Sequence, residues 1–272
     1  MDPFRDRVAV ITGGASGIGA GLARAFAARG AKLVLADLDT EGLARIAADL
    51  EAGGTPVLTL RTDVGERAEV EALAAAAFAR FGAVHLLCNN AGVGVFGPIA
   101  GATHNDWLYT MRVDFWGVVH GIEAFVPRLV AQGQPAHIVN TASMAGLVGM
   151  QWLGVYSAAK FAVVGLSEAL WRELAPHGIA VSVLCPMVVD TNLDATSARW
   201  RPPALRDAPA SAATGAAPPA MAGGVVTVAE VAARVVRGIE RRDFYLFTHP
   251  DQRDILRKRA ARQDAMFEPG RW

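Results

Sequence analysis

Arg7-Val8-Ala9-Val10-Ile11-Thr12-Gly13-Gly14-Ala15-Ser16-Gly17-Ile18-Gly19 is the stretch that decides the fold. Residues 7–12 are a short apolar run rich in β-branched side chains, the pattern of a buried parallel strand. Glycines follow, then an Ala/Leu/Arg-rich helical stretch through Arg29. Strand, glycine turn and helix in that order put free N–H groups and the positive end of a helix dipole beside bare backbone, where a pyrophosphate can approach. The glycines alone are equally a plain turn; the strand before and the helix after favour the phosphate cradle.

Working outward, Lys32-Leu33-Val34-Leu35-Ala36-Asp37 is a second strand ending in a carboxylate about twenty residues beyond the glycines. A dinucleotide fold keeps there the acid that holds the adenosine ribose hydroxyls. The bland alternative is that Asp37 caps the next helix, a role that suits Asp39 or Thr40 better. A 2′-phosphate beside Asp37 would meet like-charge repulsion of roughly 4 kcal/mol at about 4 Å in an intermediate dielectric. Because Leu38 follows rather than an arginine, the pattern selects NAD over NADP.

The alternation continues with strands at 56–62, 84–89, 136–142, 179–185 and 243–247, and helices at 66–81, 104–132, 153–175 and 227–241. Repeated β-α units predict an α/β fold, a doubly wound parallel sheet with ligands at the carboxyl ends of the strands. Asp63-Val64, Asn89-Asn90-Ala91-Gly92, Ser143 and Pro186 each follow a strand, so they share that edge.

Tyr156 and Lys160 are four apart in a helical stretch and present a phenol and an ammonium to one point. A neighbouring cation favours the ionised phenol, so Lys160 is expected to move Tyr156 from about 10 towards neutral pH, as a general acid or base requires. Ser143, at a strand tip thirteen residues ahead of the tyrosine, can hydrogen-bond the same substrate oxygen. Without a reaction partner, a half-buried ring and a solvated charge is the plainer reading of such a pair. Ala142-Ser143-Met144-Ala145-Gly146 lacks the opening glycine of a hydrolase elbow.

Composition narrows the classes. The chain has 272 residues, 52% of them hydrophobic, enough for a sizeable core. Lys+Arg and Asp+Glu both total 26, leaving no basic excess for nucleic acid or an anionic membrane. No apolar run approaches the ~18 residues of a membrane span, and the start does not read as a signal peptide, so a cytoplasmic protein is expected. Cys88 and Cys185 each end an apolar run and read as buried reduced thiols, and the six histidines show no metal-ligand spacing. Residues 187–224, rich in Ala, Pro and Gly from Arg201 onward, read as a mobile lid over substrate or as a disordered surface insertion. The tail at 250–272 reads as a surface helix or subunit contact within a single 1–272 domain.

TGGASGIG at 12–19, Asp37, Asp63-Val64, Asn89-Asn90-Ala91-Gly92, Ser143 and Tyr156-x-x-x-Lys160 resemble, in order and spacing, the short-chain dehydrogenase/reductase family over about residues 5–250. A narrower resemblance, in Phe96-Gly97-Pro98-Ile99, Phe125-Val126-Pro127-Arg128 and Tyr245-Leu246-Phe247-Thr248-His249-Pro250, is to bacterial Cα-dehydrogenases, which oxidise benzylic alcohols of lignin-derived aryl ethers. The family resemblance implies a Rossmann fold with Ser143, Tyr156 and Lys160 catalytic. It implies that Gly13, Gly17, Ile18 and Gly19 contact the NAD pyrophosphate, Asp37 the adenosine ribose, and Asp63 with Val64 the adenine. By the same resemblance Asn90 and Gly92 line the cofactor groove, Val189 and Thr191 hold the nicotinamide carboxamide, and Lys160 binds the nicotinamide ribose. Ser16, Leu38, Ala91, Val113 and Pro186 belong to the same cofactor surface, while Phe96, Ser143, Met144, Met150, Tyr156 and Met187 face a bulky or aromatic substrate.

Two positions depart from the family. Asp114 stands where the family has an asparagine that orders a proton-relay water, and its charge is expected to raise the Lys160 pKa and slow proton release. Met187 follows Pro186 where the family has glycine. The expectation is an NAD-dependent enzyme interconverting a secondary alcohol and a ketone, with a non-catalytic NAD-binding sensor or scaffold, its relay impaired at Asp114, as the alternative. Helices 104–132 and 153–175 have wide apolar faces, and in the family such helices pair subunits, so a homo-oligomer, tetramer or dimer, is expected.

Overall fold

The structure, a computed structural model, describes residues 2–207 and 224–268. Seven strands, β1 (Val8–Thr12), β2 (Lys32–Asp37), β3 (Val57–Arg61), β4 (Leu86–Asn89), β5 (Ala136–Thr141), β6 (Ile179–Cys185) and β7 (Tyr245–Phe247), form one parallel sheet in the order β3-β2-β1-β4-β5-β6-β7. The described helices are α1 (Gly17–Ala27), α2 (Thr40–Ala52), α3 (Arg67–Phe81), α4 (His104–Thr110), α5 (Gly117–Gln132), α6 (Gly154–Leu174), α7 (Leu193–Trp200), α8 (Val228–Arg241) and α9 (Gln252–Asp264). β1 pairs with β2 on one side and β4 on the other. The winding reverses there, and the diverging loops open a crevice at the carboxyl edge.

Helices on both faces explain why the strands read as continuous apolar runs. In β1, Ala9 and Ile11 join Leu22, Phe26, Val231 and Val235 of α1 and α8 in one core. Val8 and Val10 join Leu73, Leu129 and Leu170 of α3, α5 and α6 in the other. Each such fully buried aliphatic or aromatic side chain stabilises the fold by about 1.5–3 kcal/mol. Cys88, one residue before the end of β4, and Cys185, the last residue of β6, are buried free thiols, and burial pushes both up to about 12.

The expected continuous helix over 104–132 is interrupted. α4 stops at Thr110, Met111–Trp116 widens into a π-helical segment, and α5 resumes at Gly117. Sequence periodicity cannot register the extra residue, because the side chains on either side stay apolar. The widening turns Asp114 inward, fully buried, next to Lys160. Inserted residues of this kind cluster at functional sites. Within the expected lid, residues 193–200 form a regular helix and 203–205 a 3₁₀ turn, while 208–223 lie outside the described residues. In the tail, residues 252–264 are helical, and 269–272 are outside the described residues. Among the described residues, no helix is long and apolar enough to cross a membrane.

Candidate active site

At the carboxyl edge the glycine turn is built by close approach. Gly13 has φ +66°, and a Cβ there would stand 2.9 Å from Ala91 Cα. A Cβ on Gly19 would lie 2.0 Å from the Gly13 carbonyl oxygen, so only glycine lets α1 start so close to the turn. Gly19 packs directly behind the loop, and Gly13, Ser16, Gly17 and Ile18 line the crevice. Ser16 is the N-cap of α1 but makes no side-chain cap hydrogen bond. Thr12 Oγ1 accepts from the amides of Asn90 (2.9 Å) and Ala91 (3.0 Å), fixing the loop after β4 against β1.

Asp37 reaches the crevice at the end of β2. Its oxygens accept the amides of Ala15 and Asp39, each at 3.0 Å. The helix-capping alternative belongs to Asp39, whose Oδ1 accepts from Gly42 N at 3.1 Å. Burial raises the Asp37 pKa above the ordinary 3.8 despite those amides. Beyond it, Asp63 is paired with Arg112 at 2.9 Å.

On the other side of the crevice α6 carries Tyr156 and Lys160, and the end of β5 carries Ser143. Lys160 is buried; its Nζ donates to Thr141 O at 3.1 Å, lies 3.2 Å from Asp114 Oδ1, and sits 5.5 Å from the centre of the Tyr156 ring. Asp114 Oδ1 also accepts the Val93 amide at 3.0 Å, while its Oδ2 is buried without a partner among the described residues. Gly92 makes room for the pair, since a Cβ there would stand 2.8 Å from Asp114 Oδ1. Ser143 Oγ donates to Pro186 O at 3.3 Å and accepts from Ala145 N at 3.1 Å.

Electrostatics correct one expectation. The Tyr156 phenol is held above 10.0, because burial outweighs the attraction of Lys160 and a hydrogen bond with Ser143, and Asp114 pushes the same way as burial. Burial alone would lower the Lys160 ammonium, but Asp114 and Tyr156 reverse this and raise it. Burial in turn raises Asp114 in spite of Lys160. The lysine therefore stays charged, and its neighbouring acid dilutes its effect on the phenol.

All these groups border one cavity of about 1310 Å³. The residues expected on the cofactor side, Gly13, Ser16, Gly17, Ile18, Asp37, Leu38, Asp63, Val64, Asn90, Ala91, Gly92, Val113, Pro186, Val189 and Thr191, line it continuously with Asp114, Ser143, Tyr156 and Lys160. Phe96, Met144, Met150 and Met187 border the same space, with Trp152, Leu153, Leu193, Trp200, Val225 and Ile255. Trp152 has φ +69°, a left-handed conformation that costs a non-glycine residue about 1–3 kcal/mol.

Sequence reasoning missed Tyr109, Arg112, and Leu193 and Thr196 of α7, which line the same cavity. Tyr109 sits in an apolar helical stretch and reads as core, and Arg112 has no pattern around it. α7 did leave a signal: Asn192 at the N-cap, Asp194 in the first turn, Arg199 in the last, and Leu193, Ser197 and Trp200 at helical spacing.

A glycine turn at the switch point of a doubly wound sheet, joined in one crevice to a serine, a tyrosine and a buried lysine, defines a Rossmann-type oxidoreductase. The chain belongs to the short-chain dehydrogenase family, whose model matches residues 7–202. It is 41% identical over 203 residues to a Cα-dehydrogenase from Sphingobium sp., covering 74% of this chain and 66% of that protein. It is 38% identical over 260 residues to the 1-deoxy-11-beta-hydroxypentalenate dehydrogenase of Streptomyces exfoliatus, covering 93% and 87%. A crystal structure of a short-chain dehydrogenase/reductase from Burkholderia phymatum in complex with NAD superposes with a TM-score of 0.89 at 41% identity, over 99% of this chain and 98% of that one.

Proposed function

We propose that the protein is an NAD-dependent dehydrogenase that interconverts a secondary alcohol and a ketone on a bulky, partly aromatic substrate. The observation that carries this is the convergence of Ser143, Tyr156 and Lys160 on the cavity that also runs along the glycine turn to Asp37. The crevice fits a dinucleotide: side chains are missing at Gly13 and Gly17, and a carboxylate stands at Asp37 where ribose hydroxyls need an acceptor. Asp37 with Leu38 beside it repels a 2′-phosphate, favouring NAD. The relative crystallised with NAD supports that choice. When bound, NAD supplies the hydride acceptor.

The chain's own residues handle the proton. Ser143 holds the substrate oxygen, and Tyr156 takes the hydroxyl proton during oxidation or returns it during reduction. Lys160 offsets the negative charge on the phenolate, and Asp114 fixes the ammonium and keeps it protonated. Phe96, Met150, Met187 and Trp200 give the substrate side an apolar wall suited to a benzylic or alicyclic alcohol.

NAD reduction assayed across benzylic, alicyclic, steroid and polyol alcohols, repeated with NADP, tests the reading. Tyr156→Phe is expected to lose about 10²–10⁴-fold in kcat while binding NAD as before. A variant with wild-type turnover refutes the mechanism. The buried carboxylate of Asp114 favours one second reading, an NAD-binding sensor or scaffold. NAD binding without NADH formation across the whole panel is its signature.

A further inference from the structure

α7 borders the substrate side of the cavity through Leu193, Thr196 and Trp200. It is an eight-residue helix flanked by irregular chain, too short to hold its own shape by propensity alone. What fastens it comes from α4. Tyr109, almost fully buried, donates its hydroxyl to Ser197 O at 2.9 Å. That carbonyl is among the last four of α7, which have no partner within the helix. One residue past the helix, Arg201 spends each of its three guanidinium nitrogens. Nη1 bonds Asp106 at 2.7 Å, Nε bonds Leu205 O at 2.7 Å, and Nη2 meets Asp207 at 3.3 Å. Its guanidinium carbon lies 5.4 Å over the Tyr109 ring. Asp207 is held in turn by Thr103 and Asn105, each at 2.7 Å.

The geometry of this clasp sets it apart from a surface ion pair. The Arg201 and Asp106 side chains are only 18% and 16% exposed. Asp106 divides its oxygens, Oδ2 accepting from the Thr103 amide in the α4 capping box and Oδ1 from Arg201. The same residue thus starts α4 and holds the end of α7. The same last turn of α7 is tied to the loop beyond Gly92, because Ser197 Oγ accepts the Gly94 amide at 2.8 Å. α4 runs straight into the π-helical segment that carries Asp114. One short helix therefore forms part of the cavity wall and is held in place by the element that leads to the buried ion pair.

We propose that Tyr109 and Arg201 are positioning residues that hold α7 against the substrate space and so set which alcohols fit, a role that rests on the dehydrogenase reading above. Neither residue serves proton transfer. Their loss widens and loosens the substrate side, leaving the dinucleotide side and Tyr156 intact.

Tyr109→Phe removes only the hydroxyl bond and keeps the ring; Arg201→Met removes the clasp and keeps an apolar stem. In both, KM for a bulky alcohol identified in the panel is expected to rise about tenfold or more, with kcat within about threefold and NAD affinity unchanged. Hydrogen exchange gives a readout independent of turnover: amides of 193–200 are expected to exchange about tenfold faster, and those of α6 at the wild-type rate. Wild-type exchange in α7, or acceleration spread equally over α6, overturns the proposal. So does a fall in kcat and NAD affinity together with an unchanged KM. If the wild-type protein oxidises no alcohol, the dehydrogenase reading fails while the exchange experiment still decides the clasp.

Discussion

Asp114→Asn isolates what a carboxylate does beside Lys160. The two charged groups lie 3.2 Å apart with side-chain exposures of 3% and 0%. At an effective dielectric of about 20 their attraction is roughly 5 kcal/mol. Asparagine removes that attraction, but it also removes a carboxylate whose burial costs several kcal/mol. Its oxygen can keep accepting from Lys160 and the Val93 amide. Its new NH2 replaces Oδ2, which has no partner among the described residues, and costs about 1–3 kcal/mol. These terms offset, so stability should change by no more than about 2 kcal/mol, a few degrees in melting temperature for a chain of this size. The effect on catalysis has one sign. Asp114 pushes up both Tyr156 and Lys160, so in the variant both fall. Tyr156 must be deprotonated to act as base in alcohol oxidation, so the acidic limb of kcat against pH is expected to move to lower pH. Lys160 then loses its proton earlier, and activity on the alkaline side declines sooner. Steady-state oxidation measured between about pH 6 and pH 10, with urea melts alongside, reads both effects. An acidic limb that stays in place, or moves up, refutes this account of the ion pair.

Asp37→Ala is expected to raise the ratio of NADP to NAD efficiency by about tenfold or more, since it removes the charge that repels a 2′-phosphate; parallel kcat/KM values check it, and an unchanged ratio counts against the ribose assignment. His137, buried in the sheet, has its pKa lowered by burial from 6.5 to about 4, with Nε2 donating to Ser182 Oγ, which itself donates to Asp243 O. Between those two values the unfolded chain binds the proton and the folded chain does not, so stability should fall by about 3 kcal/mol as pH drops from about 6.5 to about 4. Urea melts across that window should flatten in His137→Gln, and identical slopes would contradict it. Leu108 on α4, Trp116 at the end of the π-helical segment and Trp171 on α6 are exposed apolar side chains in the helical stretches expected to pair subunits. Sedimentation at micromolar concentration should show a dimer or tetramer, and a monomer would remove that expectation.

Legibility followed the range of the physics involved. Strand and helix periods are local, so the β1-glycine-α1 unit and the whole alternation could be read from neighbouring residues. The parallel, doubly wound sheet followed because strand-helix-strand crossovers have few permitted arrangements. The position of Asp37 was readable for the same reason, and the structure leaves it free of capping duty because Asp39 caps α2 instead. What could not be read depends on balances between distant groups. Spacing alone sets Tyr156 beside Lys160, and a cation beside a phenol argues for a lowered pKa. Only the fold reveals how deeply burial opposes that cation, and that Asp114, whose effect on Lys160 was expected from the family resemblance, sits in a π-helical widening no periodicity marks. α7 shows the converse: its helix signals were present within eight residues, but the Ala, Pro and Gly around them favoured a loop reading. Its place is decided by Tyr109 and Arg201, one of them 88 residues away from the carbonyl it binds. The proposed catalytic groups are thus set by short motifs on rigid strands and helices, whereas the proposed substrate wall depends on long-range polar contacts that can change without disturbing those motifs. One proton-transfer site can in this way serve alcohols of different shape, and substitutions that change substrate preference should fall in α4 and α7 rather than around Tyr156.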